Sequence, residues 1–421
     1  MTGTLSDGAG DRHTEGALSH IRVLDLSRVL AGPWAAQMLG DMGADVIKVE
    51  RPGHGDDTRV WGPPFIPGEN GERGDAAYFT AANRNKRSLA IDFSDPRGAG
   101  IVRRMAANTD VILENFKVGG LKKFGLDYES VAAENPSIVY CSITGFGQDG
   151  PYAARPGYDY VIQGMSGLMS ITGRPDGAPG DGPLKAGVAT SDLFGGMYAG
   201  TAILGALLHR ERTGEGQYLD ISLLEAQVAG LANQGAGFLT AGVIPRRMGN
   251  SHPNVAPYRV YPVADGDFIL AVGNDGQFSR ACEALGLEHL RDDPRFATNA
   301  ARVENRVALD TALEEALGKW TRDDLIAVLE QASVPCGPIN RVDEVFADPQ
   351  IRHRALVEVC ARDDGTEIPV VAYPVKMSMT PATCRRAPPT LGADTFDILR
   401  EELGMREKEL EQLRSEGVIS C

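Results

Sequence analysis

Cysteine is scarce in this chain and carries no pattern. The six cysteines, at positions 141, 282, 336, 360, 384 and 421, include no CxxC pair, and with seven histidines they form no metal-ligand spacing. Neither a disulfide framework nor a metal site is indicated, and a reducing, cytoplasmic setting fits best. Positive charge is also in deficit: 42 Lys and Arg face 57 Asp and Glu, for a formal net charge of −15. That average field repels nucleic acid and anionic membranes, excluding either as the main partner while leaving room for local basic patches. Long apolar runs are missing too, since stretches such as "MYAGTAILGALL" fall below the roughly 20 residues that span a bilayer. The first twenty residues have neither the apolar core of a signal peptide nor the arginines of a transit peptide, so residues 1–20 read as a disordered tail without a membrane anchor.

What is present is the balance of a globular protein, 43% hydrophobic and 24% charged over 421 residues, enough for two domains. From residue 21, β-branched runs alternate with helical patterns: "IRVLDL", "PWAAQMLGDMG", "DVIKVE", "SLAIDF", "DPRGAGIVRRMAANT", "DVILEN", "SIVYCSITGFG". Strands separated by helices pair in parallel through right-handed crossovers, so this grammar predicts an open α/β sheet with helices on both faces. Its binding edge is then the carboxyl ends of the strands. The grammar changes after about residue 225, where Gly, Pro and Asn cluster in "GVIPRRMGNSHPNVAPY". The reading is a large domain over 21–225, a smaller one over 226–330, and a linker with a closing helix over 331–421.

The first strand–turn–helix–strand unit has Rossmann-like spacing, but only Gly32 stands where G-x-G-x-x-G would cradle a pyrophosphate, which argues against NAD or FAD. Basic residues collect where the strand ends are expected: Arg28, Lys48, Arg51, then Arg84, Lys86 and Arg87 in "NRNKRS", then Lys122 and Lys123. Such an edge suits a polyphosphate ligand, and it equally describes a solvated surface. In "TSDLFGGMYAG" a single acid, Asp192, precedes a helix. It reads as an N-cap or as a nucleophile, since a helix start offers unpaired N–H groups and a favourable field for an anion. Gly195 and Gly196 would let a substrate approach the backbone, or let helices pack. A carboxylate can attack a thioester, forming a mixed anhydride and releasing a thiolate, which is the chemistry of moving coenzyme A between acids.

Several separated motifs in order, "RVLDLSRVLAGPWAAQMLGDMGADVIKVERPGHGDDTR", "NRNKRSLAIDF", "ENFKVGGLKKFGL", "SITGFGQDGPYAARPGYDYVIQGMSG" and "TSDLFGGMYAG", resemble the family III CoA-transferases of the CaiB/BaiF type. The resemblance runs from about residue 20 to the C-terminus. It implies a large Rossmann-like domain built from both chain ends, a smaller inserted α+β domain, and an interlocked homodimer. It places the catalytic aspartate at Asp192 and CoA-binding positions at Val29, Ala31, Arg51, Lys86, Asn115, Phe116 and Lys123. Coenzyme A and acyl-CoA are then substrates, with no permanently bound cofactor and no metal. Racemases of the same superfamily have a histidine where this chain has Tyr158 before Asp159; a tyrosine of ordinary pKa near 10 is a poor base at neutral pH. The wording of "DDTRVWGPPF" and "CSITGFGQDGP" is most similar to the subgroup that moves CoA from succinyl-CoA to glutarate or related dicarboxylates. For the far carboxylate of such an acid, Arg84 with Tyr158 or His252 is the candidate receptor; the plainer readings are a phosphate contact, a packed ring and a loop cap. The rivals are a racemase-like enzyme and a non-catalytic acyl-CoA-binding protein.

Overall fold

The computed structural model describes residues 16–67 and 73–421. The tail expected over residues 1–20 lies outside the described residues as far as residue 15. Residues 16–20 form turns, with the Leu18 N–H donating to Met42 O at 2.9 Å and its side chain against the core.

Seven strands make the main sheet: β1 (Arg22–Asp25), β2 (Asp45–Glu50), β3 (Lys86–Ile91), β4 (Val111–Glu114), β5 (Val139–Thr144), β6 (Gln217–Ser222) and β7 (Ile419–Ser420). Their order is β6-β5-β4-β1-β2-β3-β7, parallel throughout except that β7 runs antiparallel to β3. Side chains alternate across the sheet as period-two geometry requires. Val23, Val46 and Val111 face one apolar layer, while Leu24, Ile47 and Ile112 face the other. Because β1 leads to β2 on one side and β4 returns to its other side, the order reverses between β1 and β4. A sheet of this kind opens a crevice at that point, outside the carboxyl ends of its strands.

The helices that frame this edge are α1 (Ala31–Asp41), α2 (Ala77–Thr80), α3 (Pro96–Ala106), α4 (Asp159–Met165), α5 (Thr190–Thr213) and α6 (Leu223–Ala229). Helix α3 has its start written locally: the Asp95 side chain accepts from the Arg97 N–H, and Pro96 needs no donor there. Helix α5 is long and apolar enough to cross a membrane by length and composition, more than the short apolar runs suggest. Its small residues are instead buried against α1 and α6: a Cβ on Gly196 would meet Ala31 O at 2.6 Å, and one on Gly195 would meet Leu223 Cδ2 at 2.5 Å.

The chain divides into two compact units. The first holds the chain to Leu168 with Ala186–Ala236 and Arg352–Cys421, and the second holds Met169–Lys185 and Gly237–Ile351. These divisions fall later than the expected 226 and 330, and they give the second unit an extra short segment. Within the second unit, strands Tyr258–Val263, Gly266–Ala271 and Cys336–Pro338 form an antiparallel sheet. It packs with helical residues around Tyr261, Phe268, Phe278, Leu309 and Leu325. Cys360 and Cys384 are joined in a disulfide, correcting the expectation of none. They are 24 residues apart, and the Val357–Ala361 strand brings them together without any local sequence signal.

Candidate active site

Helix α5 starts without a side-chain cap of its own; its N-cap residue is Ala189. Asp192 is the third helical residue, so it is not the cap that its position in the sequence also allowed. The capping is done from elsewhere: Asp159, at the start of α4, accepts the Ser191 N–H through Oδ1 at 2.8 Å. Among the described residues no donor is hydrogen-bonded to the Asp192 carboxylate, which is half-buried. Desolvation, and then the charge of Asp159, push its pKa up to about 7. The field of the helix start, worth about 0.3–1 kcal/mol, does not outweigh them. The site therefore contains an unpaired, basic carboxylate rather than a firmly ionised one.

Four residues on from Asp192, one turn along α5, Gly196 meets Ala31 at the head of α1. The loop leading into α1 is held open in an unusual conformation. Val29 has φ of +70°, costly for a β-branched residue, and its N–H points at Asp56, 3.2 Å from Oδ2. Asp56 is itself clamped by Lys48 Nζ at 2.9 Å and by the Thr58 N–H at 3.0 Å. Burial opposes the Asp56 charge, but Lys48 and these hydrogen bonds win and hold its pKa at about 2. Across the crevice, Asn115 after β4 closes on the same loop, accepting the Arg28 N–H at 2.9 Å and donating to Arg28 O at 2.7 Å. Arg28 lies 5.7 Å from the centre of the Phe116 ring, and Lys123 lies over Phe124 at 4.6 Å. Arg51, after β2, is exposed, and among the described residues its guanidinium makes no hydrogen bond or ion pair. Backbone of the first loop, a free arginine and an exposed lysine thus stand around the switch point.

The sequence profile of CoA-transferase family III matches residues 18–395. The chain belongs to that family. It is 54% identical over 91% of its length to a succinate–glutarate CoA-transferase of Agrobacterium fabrum, covering 95% of that protein. It is 43% identical over 96% of its length to a succinyl-CoA:glutarate CoA-transferase of Mus musculus, covering 90% of that protein. In structure it is similar to a CaiB/BaiF family protein from Brucella suis, with a TM-score of 0.82 and 50% identity, covering 92% of this chain and all of the other. As a CoA-transferase it handles acyl-CoA and carboxylic acids.

The fold of this CoA-transferase corrects several residue assignments. Arg84, Lys86 and Arg87 do not lie at the carboxyl edge, because β3 begins at Lys86 and runs parallel to β2 from Val46. Arg84 is buried in a two-pronged pair with Asp41, its Nε donating to Oδ1 at 2.8 Å, so it is not presented to a substrate carboxylate. The Lys86 ammonium is fully buried and donates to Asp25, Pro33 O and Asn83 at 2.9–3.0 Å, leaving none of its three protons for a phosphate. Burial lowers its pKa to about 8 despite Asp25. Lys48 is turned inward in the same way. Gly195 and Gly196 serve helix packing, not substrate approach. Tyr158 stands at the N-cap position of α4 without a capping side-chain hydrogen bond, and its ring is exposed rather than packed. His252 belongs to the second unit, where Nδ1 accepts the Asn254 N–H at 3.1 Å and the ring lies 5.2 Å from Tyr258. That is the loop-capping role.

Sequence reasoning missed Tyr78. Its pKa is raised by burial and by the charges of Asp192, Asp159 and Asp56, so this phenol shares the electrostatic surroundings of the nucleophile candidate. Its ring meets Trp61 edge-on at 5.5 Å. No motif spacing links "WGPPF" or "AAYFT" to Asp192; only the tertiary fold does.

Proposed function

We propose that this CoA-transferase moves CoA from succinyl-CoA to a dicarboxylate such as glutarate through covalent intermediates on Asp192. The unpaired Asp192 carboxylate beside the head of α1 carries this reading, and the named substrates of the Agrobacterium and mouse relatives support its choice of acids. An Asp192 oxygen attacks the thioester carbon, the C–S bond breaks, and CoA thiolate leaves a mixed anhydride. The thiolate then attacks the aspartyl carbonyl, releasing succinate and leaving an enzyme thioester. The acceptor carboxylate attacks that carbonyl, freeing thiolate and forming a second anhydride. Thiolate attack on the acceptor's acyl carbon completes the acceptor's CoA ester and regenerates Asp192. The exposed basic side chains Arg51 and Lys123 meet the CoA phosphates, and the backbone of Val29 and Ala31 with Asn115 and Phe116 frames the remainder.

The protein works as a homodimer, a reading favoured by the exposed apolar run Phe238, Leu239, Val243 and Ile244. It is cytoplasmic, a compartment that works against the Cys360–Cys384 disulfide; thiol alkylation at the moment of lysis reads how much of that pair is open in the cell. Incubation with succinyl-CoA, followed by hydroxylamine and peptide mass mapping, should find the adduct on Asp192. CoA binding without any adduct would leave only an acyl-CoA-binding protein. Deuterium exchange at the α-carbon of an acyl-CoA without acceptor would point to racemisation instead.

A further inference from the structure

Asp159 lies in the stretch "GYDY", in which the sequence reading singles out Tyr158, as the replacement of a histidine and as a candidate receptor, and gives Asp159 no role. In the structure its two carboxylate oxygens do separate tasks. Oδ1 accepts the Ser191 N–H at 2.8 Å, and Oδ2 accepts Gln163 Nε2 at 2.7 Å. The Gln163 amide is fixed in turn, since Nε2 also reaches Val188 O at 3.2 Å and Oε1 accepts the Ala186 N–H at 2.9 Å. From α6, Gln227 Oε1 accepts the hydroxyls of Thr190 at 3.0 Å and Ser191 at 3.1 Å. Gln163, Ser191 and Gln227 are all buried. The first turn of α5 is thus gripped on both sides, immediately before Asp192. Asp is an ordinary capping residue, so the bond alone does not single it out; what does is that the turn it holds carries a second acid, Asp192.

We infer that Asp159 is the positioning residue of the nucleophile: it clamps the first turn of α5 through Ser191 and holds a fixed negative charge next to the Asp192 carboxylate. This rests on the covalent role given to Asp192 above. The charge of Asp159 from α4 acts on Asp192, the phenol of Tyr78 on α2 feels both acids, and among the described residues no positive side chain offsets the rise. Burial first, and this like charge second, raise the Asp192 pKa to about 7, so its ionised form is a more basic, better nucleophile than a solvated aspartate.

The test is the pH dependence of single-turnover acylation by succinyl-CoA. In the native protein the rate should rise with pH through about 7, as Asp192 ionises. Asp159→Asn and Asp159→Ser both remove the charge; asparagine keeps an oxygen at the Oδ1 position for the Ser191 N–H, serine only a shorter hydroxyl. Asparagine turns an NH2 toward the Gln163 NH2, so serine is the safer fold. In whichever of the two folds, the midpoint should fall by about one pH unit and the plateau rate by about tenfold, with KM for succinyl-CoA within about twofold. Asp159→Glu, which restores the charge, should return the midpoint toward the native value. A neutral variant that slows acylation equally at every pH, with the midpoint unmoved, would reduce Asp159 to a structural cap and overturn the assignment. So would a midpoint in Asp159→Glu that follows the neutral variants. If the native protein never acylates, the covalent reading fails and this one falls with it; if it acylates normally and only the midpoint stays put, Asp159 alone is misassigned.

Discussion

Replacing Asp192 by asparagine keeps the shape of the side chain and removes both its charge and its nucleophilicity. Transfer should drop by at least about a thousandfold, the order typical of a lost covalent nucleophile. Stability should move the other way. The folded pKa of Asp192 is raised to about 7 from 3.8, so native stability is highest where the group is protonated and declines as pH rises between those values. Asp192→Asn should therefore melt higher than the native protein near pH 8 and equally near pH 4, a difference a pair of thermal scans reads directly. Arg84 gives the opposite pattern. It is buried against Asp41, so Arg84→Ala strands a carboxylate and should cost about 3–5 kcal/mol in denaturant unfolding. The preference for dicarboxylates over monocarboxylates should survive; a lost preference with intact stability would restore Arg84 to the pocket. Asp192 stands out in the sequence as a lone acid among small and apolar residues, whereas Arg84 is one of several basic residues in "NRNKRS". Asp192 was legible because its motif and its helix are contiguous in the chain. The fate of Arg84 was not, because its partner is 43 residues away.

At the scale of elements, the parallel strands and their helices could be read from periodicity, since a two-residue alternation and a helical stripe are local patterns. The basic edge could not. "NRNKRS" has the polar look of a loop, but its last three residues open β3, and Lys86 and Arg87 spend their charges on Asp25 and Asp45. The element that shapes the site is the loop between β1 and α1, and its strained Val29 is held by the buried Asp56–Lys48 pair. Asp56→Asn leaves Lys48 buried with its strongest partner gone and weakens the acceptor for the Val29 N–H. Unfolding stability should fall by about 3–5 kcal/mol, and KM for acyl-CoA should rise as the loop is released. The folded pKa of Asp56 is depressed to about 2 from 3.8, so its contribution is complete above the unfolded value and is lost as pH falls through the folded one. The gap between variant and native stability should thus be constant above about pH 5 and narrow on further acidification. A gap that persists unchanged at pH 2 would mean that Asp56 acts through shape, not charge.

The whole large unit depends on the last stretch of the chain. The helices Thr395–Leu403 and Glu407–Ser415 lie on one face of the sheet, and β7 covers the edge of β3. Ile398, Leu399, Leu410, Leu413, Val418 and Ile419 are buried there with Leu24, Leu89 and Ile101 from the N-terminal part. The sequence reading takes "LREELGMREKELEQLRSEGVI" as one closing helix, where the structure has two that part at Gly404, and draws the return to the large domain only from the family resemblance. It does not foresee the final strand, since two residues, Ile419 and Ser420, hold no periodicity to detect. Six buried apolar side chains at about 1.5–3 kcal/mol each contribute about 9–18 kcal/mol, as much as the net stability of about 5–15 kcal/mol that domains commonly have. Truncation before Thr395 should accordingly leave no cooperative unfolding transition in the large unit and expose the β3 edge to aggregation. Circular dichroism and light scattering on the truncated chain check this. Adding the missing segment back as a separate peptide should recover part of the native signal if the loss is one of packing. A truncated chain that stayed unaggregated and bound CoA would instead show that the N-terminal strands alone suffice to build the switch-point crevice.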